Sequence, residues 1–197
     1  MNRRNPAVDL ALVAGFAALI ATVAILPDIK TGVGVPFSLQ TFGVLLAGAC
    51  LGPVRGFLAV CLYLAGGAIG LPIFSGGASG LGHFTGPTAG YLVAFPLAAA
   101  LCGLIVWRAR RRRTDFTLVF TAGLLSSFLF IHTLGPLNLA WRADLGLKEA
   151  FLIDTQFFPG DILKNLVMAL VATSVHRAFP DLLARPAVSE ERETSAA

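Results

Sequence analysis

An all-α integral membrane protein is the fold class that this sequence predicts, and three observations predict it. Of its 197 residues, 56% are hydrophobic and only 13% are charged, and the mean hydropathy is +0.77. A soluble domain carries about twice that charged share. Apolar segments close to the length of a bilayer span recur along the chain. The charges fall in the short connections between them and leave no stretch for a soluble domain.

Six spans are expected, taken in order. Residues 8–26 follow a basic start and end at Pro27. This run is longer than a signal-peptide core, and no small-residue cleavage site precedes the next loop, so it reads as a retained helix. Residues 37–51 form a short second span interrupted by glycines, and residues 54–71 the third. Residues 85–107 and 116–134 form the fourth and fifth. The sixth, residues 159–179, opens on Pro159, which suits a first helical turn because it lacks the N–H that would go unsatisfied there. Residues 1–179 are thus expected to be a single six-helix transmembrane domain, and residues 180–197 a polar cytoplasmic tail expected to be disordered.

Orientation follows from the cations. With the N-terminus inside, Arg3, Arg4, Arg55, Arg108, Arg110, Arg111, Arg112, Arg113, Arg177, Arg185 and Arg192 lie on the cytoplasmic side. The outer loops carry only Lys30, Arg142 and Lys148, which places both termini in the cytoplasm and the protein in the cell membrane. The arginine run at 108–113 sits directly between two spans. It reads as the topology signal with some contact to anionic headgroups of the lipid bilayer, and no nucleic-acid partner is expected. Cys50, Cys61 and Cys102 all fall in apolar segments without ligand spacing and read as small core residues.

Asp161 and Lys164 open the sixth span, three residues apart and hence on one face of a helix. Asp161 lies near the positive end of the helix macrodipole, which favours its carboxylate. An ionisable pair inside a membrane segment marks a functional site. In the topology above this pair lies at the outer end, beside the loops at 27–36 and 72–84.

Those loops supply the remaining candidates. The first reads Lys30-Thr31-Gly32-Val33-Gly34-Val35-Pro36 and re-enters a helix at Phe37. It serves equally as a mobile lid or an ordinary connection. Gln40, one turn into the second span, can bond a ligand amide or a neighbouring helix. The stretch from Leu71 to Tyr91 carries no charge but is dense in glycine, hydroxyls and aromatics. Irregular backbone near membrane depth is tolerated where protein buries it or where it lines a cavity. The N–H groups and hydroxyls of Ser75, Gly76, Gly77 and Ser79, then of Gly86 and Thr88, suit an uncharged polar ligand. Phe74, Phe84 and Tyr91 suit an apolar wall. His83 and His176 have no partner at metal-ligand spacing and read as polar boundary residues, and no cofactor or metal is expected.

Small residues recur at helical spacing in Gly48, Gly52 and Gly56, then Gly66 and Gly70, and along the first span in Ala14, Ala18 and Ala21. Internal packing explains all of them, and docking of a partner helix is the sharper alternative.

One resemblance points to an enzyme. Gly77-Ala78-Ser79-Gly80 is similar to the nucleophile motif of rhomboid intramembrane proteases, with His132 as the base that Ser79 would need. The placement argues against it. The serine precedes the fourth span, the histidine is on the fifth rather than the sixth, and Asp161 and Lys164 are left without a role.

A second resemblance covers nearly the whole chain. Pro36-Phe37-Ser38-Leu39-Gln40-Thr41, Leu45-Leu46-Ala47-Gly48 and Leu51-Gly52 resemble the BioY family. So do Tyr63-Leu64, Gly70-Leu71-Pro72-Ile73-Phe74, Gly86-Pro87-Thr88-Ala89-Gly90-Tyr91, and Pro159-Gly160-Asp161 with Lys164. BioY proteins are the biotin-binding S components of energy-coupling factor (ECF) vitamin transporters. The resemblance implies the ECF S-component fold and capture of biotin from outside, without covalent chemistry. It also implies partners: a transmembrane T component and a pair of cytoplasmic ATPases, since this chain has no Gly-x-x-x-x-Gly-Lys-Ser/Thr loop. The face of Ala14, Ala18 and Ala21 resembles the alanine-rich surface through which S components meet the T component. An S component for another vitamin is the remaining alternative. A cation such as thiamine asks for an aromatic cage and acids, whereas Lys164 suits an anionic ligand.

Overall fold

A computed structural model describes residues 6–26, 38–109 and 115–183. Phe37, the loop at 27–36, the arginines at 110–113 and the tail from residue 184 lie outside the described residues.

Among the described residues all regular secondary structure is helical: α1 (Pro6–Ala24), α2 (Gln40–Leu51), α3 (Pro53–Ala68), α4 (Ala89–Ala109), α5 (Phe116–Ser126), α6 (His132–Arg142), α7 (Leu147–Thr155) and α8 (Phe158–Ala178). A π turn at Ser127–Ile131 joins α5 to α6, so that Phe116–Arg142 runs as one rod of 27 residues. Short 3₁₀ turns at Ser75–Gly77 and Leu81–Phe84 shape the connection between α3 and α4, and Pro180–Leu183 follows α8.

Four of these segments are long and apolar enough to cross a membrane: α1, α4, the α5–α6 rod and α8. Helix α2, with 12 residues, extends only about 18 Å and α3, with 16, about 24 Å at 1.5 Å per residue. Both fall short of a hydrocarbon core of about 30 Å. The expected second and third spans are therefore shorter helices, and the burial pattern explains how. All of α2 except Thr41 and Phe42 is buried, so protein rather than lipid surrounds it. The chain passes from α2 to α3 at Gly52, whose φ of 82° is one that glycine adopts freely.

Three boundaries differ from expectation. Helix α4 begins at Ala89 because residues 86–88 form a turn. There the Ala89 N–H donates to the Gly86 carbonyl, and the Tyr91 and Leu92 N–H groups donate to that of Thr88. The fifth span does not stop at 134 but continues through Pro136. The π turn widens the backbone upstream, and Thr133 Oγ1 donates to the Phe128 carbonyl at 2.9 Å. The connection before the last span, read as a plain outer loop, holds α7.

Glycines fuse the interior. A Cβ on Gly48 would overlap the backbone of Ala99, one on Gly56 would come within 2.7 Å of the Gly48 Cα, and one on Gly103 within 2.5 Å of the Gly52 backbone. The glycine spacing thus serves contact among α2, α3 and α4 inside this chain. At the end of the bundle opposite the pocket, Arg55 pairs with Asp9 at 3.2 Å and donates to the Leu182 carbonyl. Beside it, a ring nitrogen of His176 meets the Ala49 carbonyl at 3.0 Å.

Helix α8 shows the environment most directly. It buries Lys164, Asn165 and Thr173, and it turns Ile162, Leu163, Leu166, Val167 and Leu170 outward. Polar groups inside and an apolar exterior are the pattern that lipid favours. Cys50 and Cys102 lie in the core and Cys61 is half-buried.

Gly48→Val should overpack the α2–α4 contact and destabilise the protein by about 1–3 kcal/mol or more. Gly15→Val, where nothing lies within 4 Å, should leave thermal unfolding of the detergent-purified protein close to wild type.

Candidate functional site

A cavity of about 360 Å³ opens among the first turns of α2, α4, α6 and α8 and the glycine-rich connection. This is within the size range of small-molecule sites. Of the candidates read from the sequence, Asp161, Lys164, Gln40, Phe74, Ser75, Ser79, Gly86, Thr88 and Tyr91 line it.

Its polar end is built on α8. Asp161 stands in the first turn, its N–H donating to the Phe157 carbonyl at 2.9 Å. One turn on, Lys164 Nζ donates to Asp161 Oδ1 at 2.8 Å. Thr41 Oγ1, on α2, donates to the same oxygen at 3.0 Å. Lys164 is buried, and the Asp161 side chain is only 12% exposed.

A second carboxylate lies behind the first. Asp154, on α7, is fully buried; its Oδ1 accepts from the Tyr91 hydroxyl at 2.9 Å, and its Oδ2 faces His132 Nδ1 at 2.8 Å. Across the imidazole, Nε2 faces Asp161 Oδ2 at 3.5 Å. Glycine makes the reach from α4 to α7 possible. A Cβ on Gly135 would overlap the Tyr91 ring, and one on Gly90 would overlap the Leu134 carbonyl, so α4 and α6 approach closely. The ring of His132 is held by Phe128 and Phe158, with centroids at 5.0 and 4.8 Å.

The apolar end centres on Phe74, 2% exposed, whose ring occupies the space left by Gly67. It meets Tyr63, His83 and Phe84 edge to face, at 5.7, 5.5 and 6.0 Å. Phe84 therefore supports the wall from behind and is not among the lining residues. Gly76 and Gly77 are not either. Both have positive φ, 67° and 76°, and serve to turn the backbone. Gln40 lines the cavity with its amide already engaged, accepting from Ser38 Oγ at 2.9 Å and donating to the Tyr63 hydroxyl.

Sequence reasoning missed Asp154 and gave His132 only a protease role. It also read His83 as a boundary residue, whereas His83 lines the cavity and packs on Phe74. Thr41 stood in a quoted motif without a role. Ser79 and His132 share the cavity, yet His132 bonds Asp154 and no hydrogen bond joins it to Ser79. On α1, Ala14 and Ala18 are exposed, while Ala21 is partly buried against the core. Among the described residues no group of three or more His, Cys, Asp or Glu side chains is arranged to hold a metal ion.

The family profile described as BioY family matches residues 1–181. The chain belongs to the BioY family. It is 42% identical over 190 residues to the biotin transporter BioY of Rhodobacter capsulatus, covering 90% of this chain and 98% of that one. It is 38% identical over 182 residues to the biotin transporter BioY of Rhizobium etli, covering 90% and 97%. Its structure superposes with a TM-score of 0.84 on the crystal structure of the S-component for biotin from an ECF-type ABC transporter, at 27% identity, covering 90% of this chain and 95% of that one. This BioY chain is therefore a multi-pass membrane protein with the ECF S-component fold. The family is one of transport components and not of enzymes, which leaves the protease reading of Ser79 and His132 without support.

Tyr91→Phe removes one donor from a fully buried carboxylate and should destabilise the protein by about 1–3 kcal/mol. Thermal unfolding in detergent measures it, and an unchanged midpoint would show that Asp154 does not need this bond.

Proposed function

We propose that the cavity is a biotin site and that this chain is the substrate-binding component of a biotin uptake system. The observation that carries the reading is the Asp161–Lys164 pair, joined by Thr41 at one end of an otherwise largely apolar cavity in a BioY chain. Biotin offers matching chemistry: a ureido ring with two N–H donors and one carbonyl, an apolar thioether ring, and a carboxylate on a flexible chain. Asp161 accepts an N–H, Lys164 donates to an oxygen, and Phe74, Leu92 and Phe95 cover the apolar ring. The hydroxyls of Ser75, Ser79 and Thr88 line the route from the connecting loop.

The distribution of cations supports a topology with both termini in the cytoplasm and the cavity open to the outside of the cell membrane. Residues 1–179 then act as one transmembrane unit. The exposed alanines 14 and 18 supply a flat surface for a T component, with Ala21 at its margin. A pair of ATPases then supplies the energy that this chain has no phosphate-binding loop to provide.

The direct test is equilibrium binding of labelled biotin to the detergent-purified protein. Lys164→Ala and Asp161→Asn each remove a charged group proposed to contact the ligand, so affinity should fall by about 100-fold or more. Folded wild-type protein that binds thiamine or riboflavin but not biotin would overturn the reading. Ala14→Trp with Ala18→Trp should abolish co-purification with the T component and cellular uptake while leaving biotin affinity unchanged.

A further inference from the structure

We propose that the tip of the hairpin formed by α6 and α7 is a lipid-binding surface: Trp141, Arg142, Leu147 and Lys148 sit in a headgroup layer of the bilayer and hold a zwitterionic phospholipid there. The inference goes beyond the ligand reading of the cavity and does not depend on it.

Its first support is depth. The rod Phe116–Arg142 has 27 residues and so extends about 40 Å at 1.5 Å per residue. It starts just after the arginine run at 108–113, which marks one membrane face. A hydrocarbon core of about 30 Å ends before the last turn of such a rod, and the headgroup layers bring the bilayer to about 40–45 Å. At the usual tilt of about 20° the rod still rises about 38 Å, so Trp141 and Arg142 reach the headgroup layer of the far face. The chain turns back at this point. The Leu145 N–H donates to the Ala140 carbonyl at 3.0 Å, and Asp154, near the end of α7, meets His132 at the start of α6. Helices α6 and α7 therefore run antiparallel, and residues 141–148 form the tip.

The second support is the apolar surface. Trp141 is 74% exposed and Leu147 59%. Trp belongs at a membrane boundary, because its large apolar ring carries one N–H for the wet side. The exposed surface also continues away from the tip: Leu137 lies one turn before Trp141, and Phe151 one turn after Leu147, and both are exposed. A patch that runs on toward the bilayer core without a polar border suits acyl chains.

The third support is charge. The Arg142 guanidinium lies over the Trp141 ring, 4.4 Å from its centroid, so a cation and an apolar face are presented together. A guanidinium meets phosphate oxygens through paired N–H groups. Arg142, Asp144, Lys148 and Glu149 are all exposed. Two cations and two acids match a headgroup that carries both signs, with its phosphate toward Arg142 and Lys148 and its ammonium toward Asp144 and Glu149. The contact stands beside the cavity. Asn138, one turn before Arg142, donates to the carbonyls of Gly86 and Pro87, two residues that line it, at 3.2 and 2.9 Å.

The test uses the intrinsic fluorescence of the full chain in phosphatidylcholine vesicles. The chain has two tryptophans, so Trp107→Phe leaves Trp141 as the reporter. Should that variant fail to fold, the difference between wild type and Trp141→Phe gives the same signal. Nitroxide on the choline headgroup should quench Trp141 about 2-fold or more strongly than bromine near the methyl end of the acyl chains. Replacing both cations, Arg142→Ala with Lys148→Ala, should lower the headgroup quenching about 2-fold. Stronger quenching by the deep bromine would bury the tip in the hydrocarbon and overturn the proposal. Quenching by aqueous iodide but by neither lipid probe would leave the tip in water and overturn it as well. Protection from all three probes would mean that a second copy of the chain covers the tip, and headgroup quenching unchanged by loss of both cations would show that they hold no phosphate; either result overturns the proposal. The depth reading is the same whichever face of the membrane is outside, and biotin binding does not enter it.

Discussion

Placing a carboxylate among apolar helices is costly unless donors reach it, and Asp161 has two donors and faces a third polar group. Lys164 comes from its own helix, Thr41 from α2, and the imidazole of His132 from the start of α6. Each of these must arrive at the correct height, so the ends of α2, α6 and α8 are tied to one another through that one side chain. Its place in the first turn of α8 adds the helix dipole in the favourable sense. The cavity exists where these ends meet.

Close helix contact is what brings the groups within reach. Helices α2, α3 and α4 touch at Gly48, Gly56 and Gly103, where a side chain would collide with backbone. On the other side of α4, Gly90 and Gly135 let α6 come near enough for the Tyr91 hydroxyl to reach α7. In a membrane, packing of small residues replaces the hydrophobic effect as the force that joins helices. The same residues thus hold the bundle together and set the distances of the polar network. The π turn before His132 belongs to this scheme, since it precedes the residue whose ring faces both carboxylates.

The fold class was legible because hydropathy reports the solvent directly, and the Asp161–Lys164 pair because three residues of helix put both on one face. The lengths of α2 and α3 were not legible in the same way. Whether a helix meets lipid or protein depends on its neighbours, and α2 is enclosed by them. Asp154 and His132 are separated by 22 residues and lie on different helices. No periodicity relates them, and the stretch holding Asp154 looked like an outer loop because α7 is short and only moderately apolar. The loop glycines were partly misread for a related reason. Composition marks Gly76 and Gly77 as permissive backbone, but only the positive φ values show that they turn the chain, while Ser75 and Ser79 line the cavity.

The Asp161–Lys164 pair on α8 is the proposed anchor for the ligand. The most direct measurement is an experimental structure of the protein with biotin bound. The ureido ring should lie against Asp161 and Lys164, and the thioether ring against Phe74. Biotin seated outside this cavity, or inside it without contact to Asp161 or Lys164, would contradict the account.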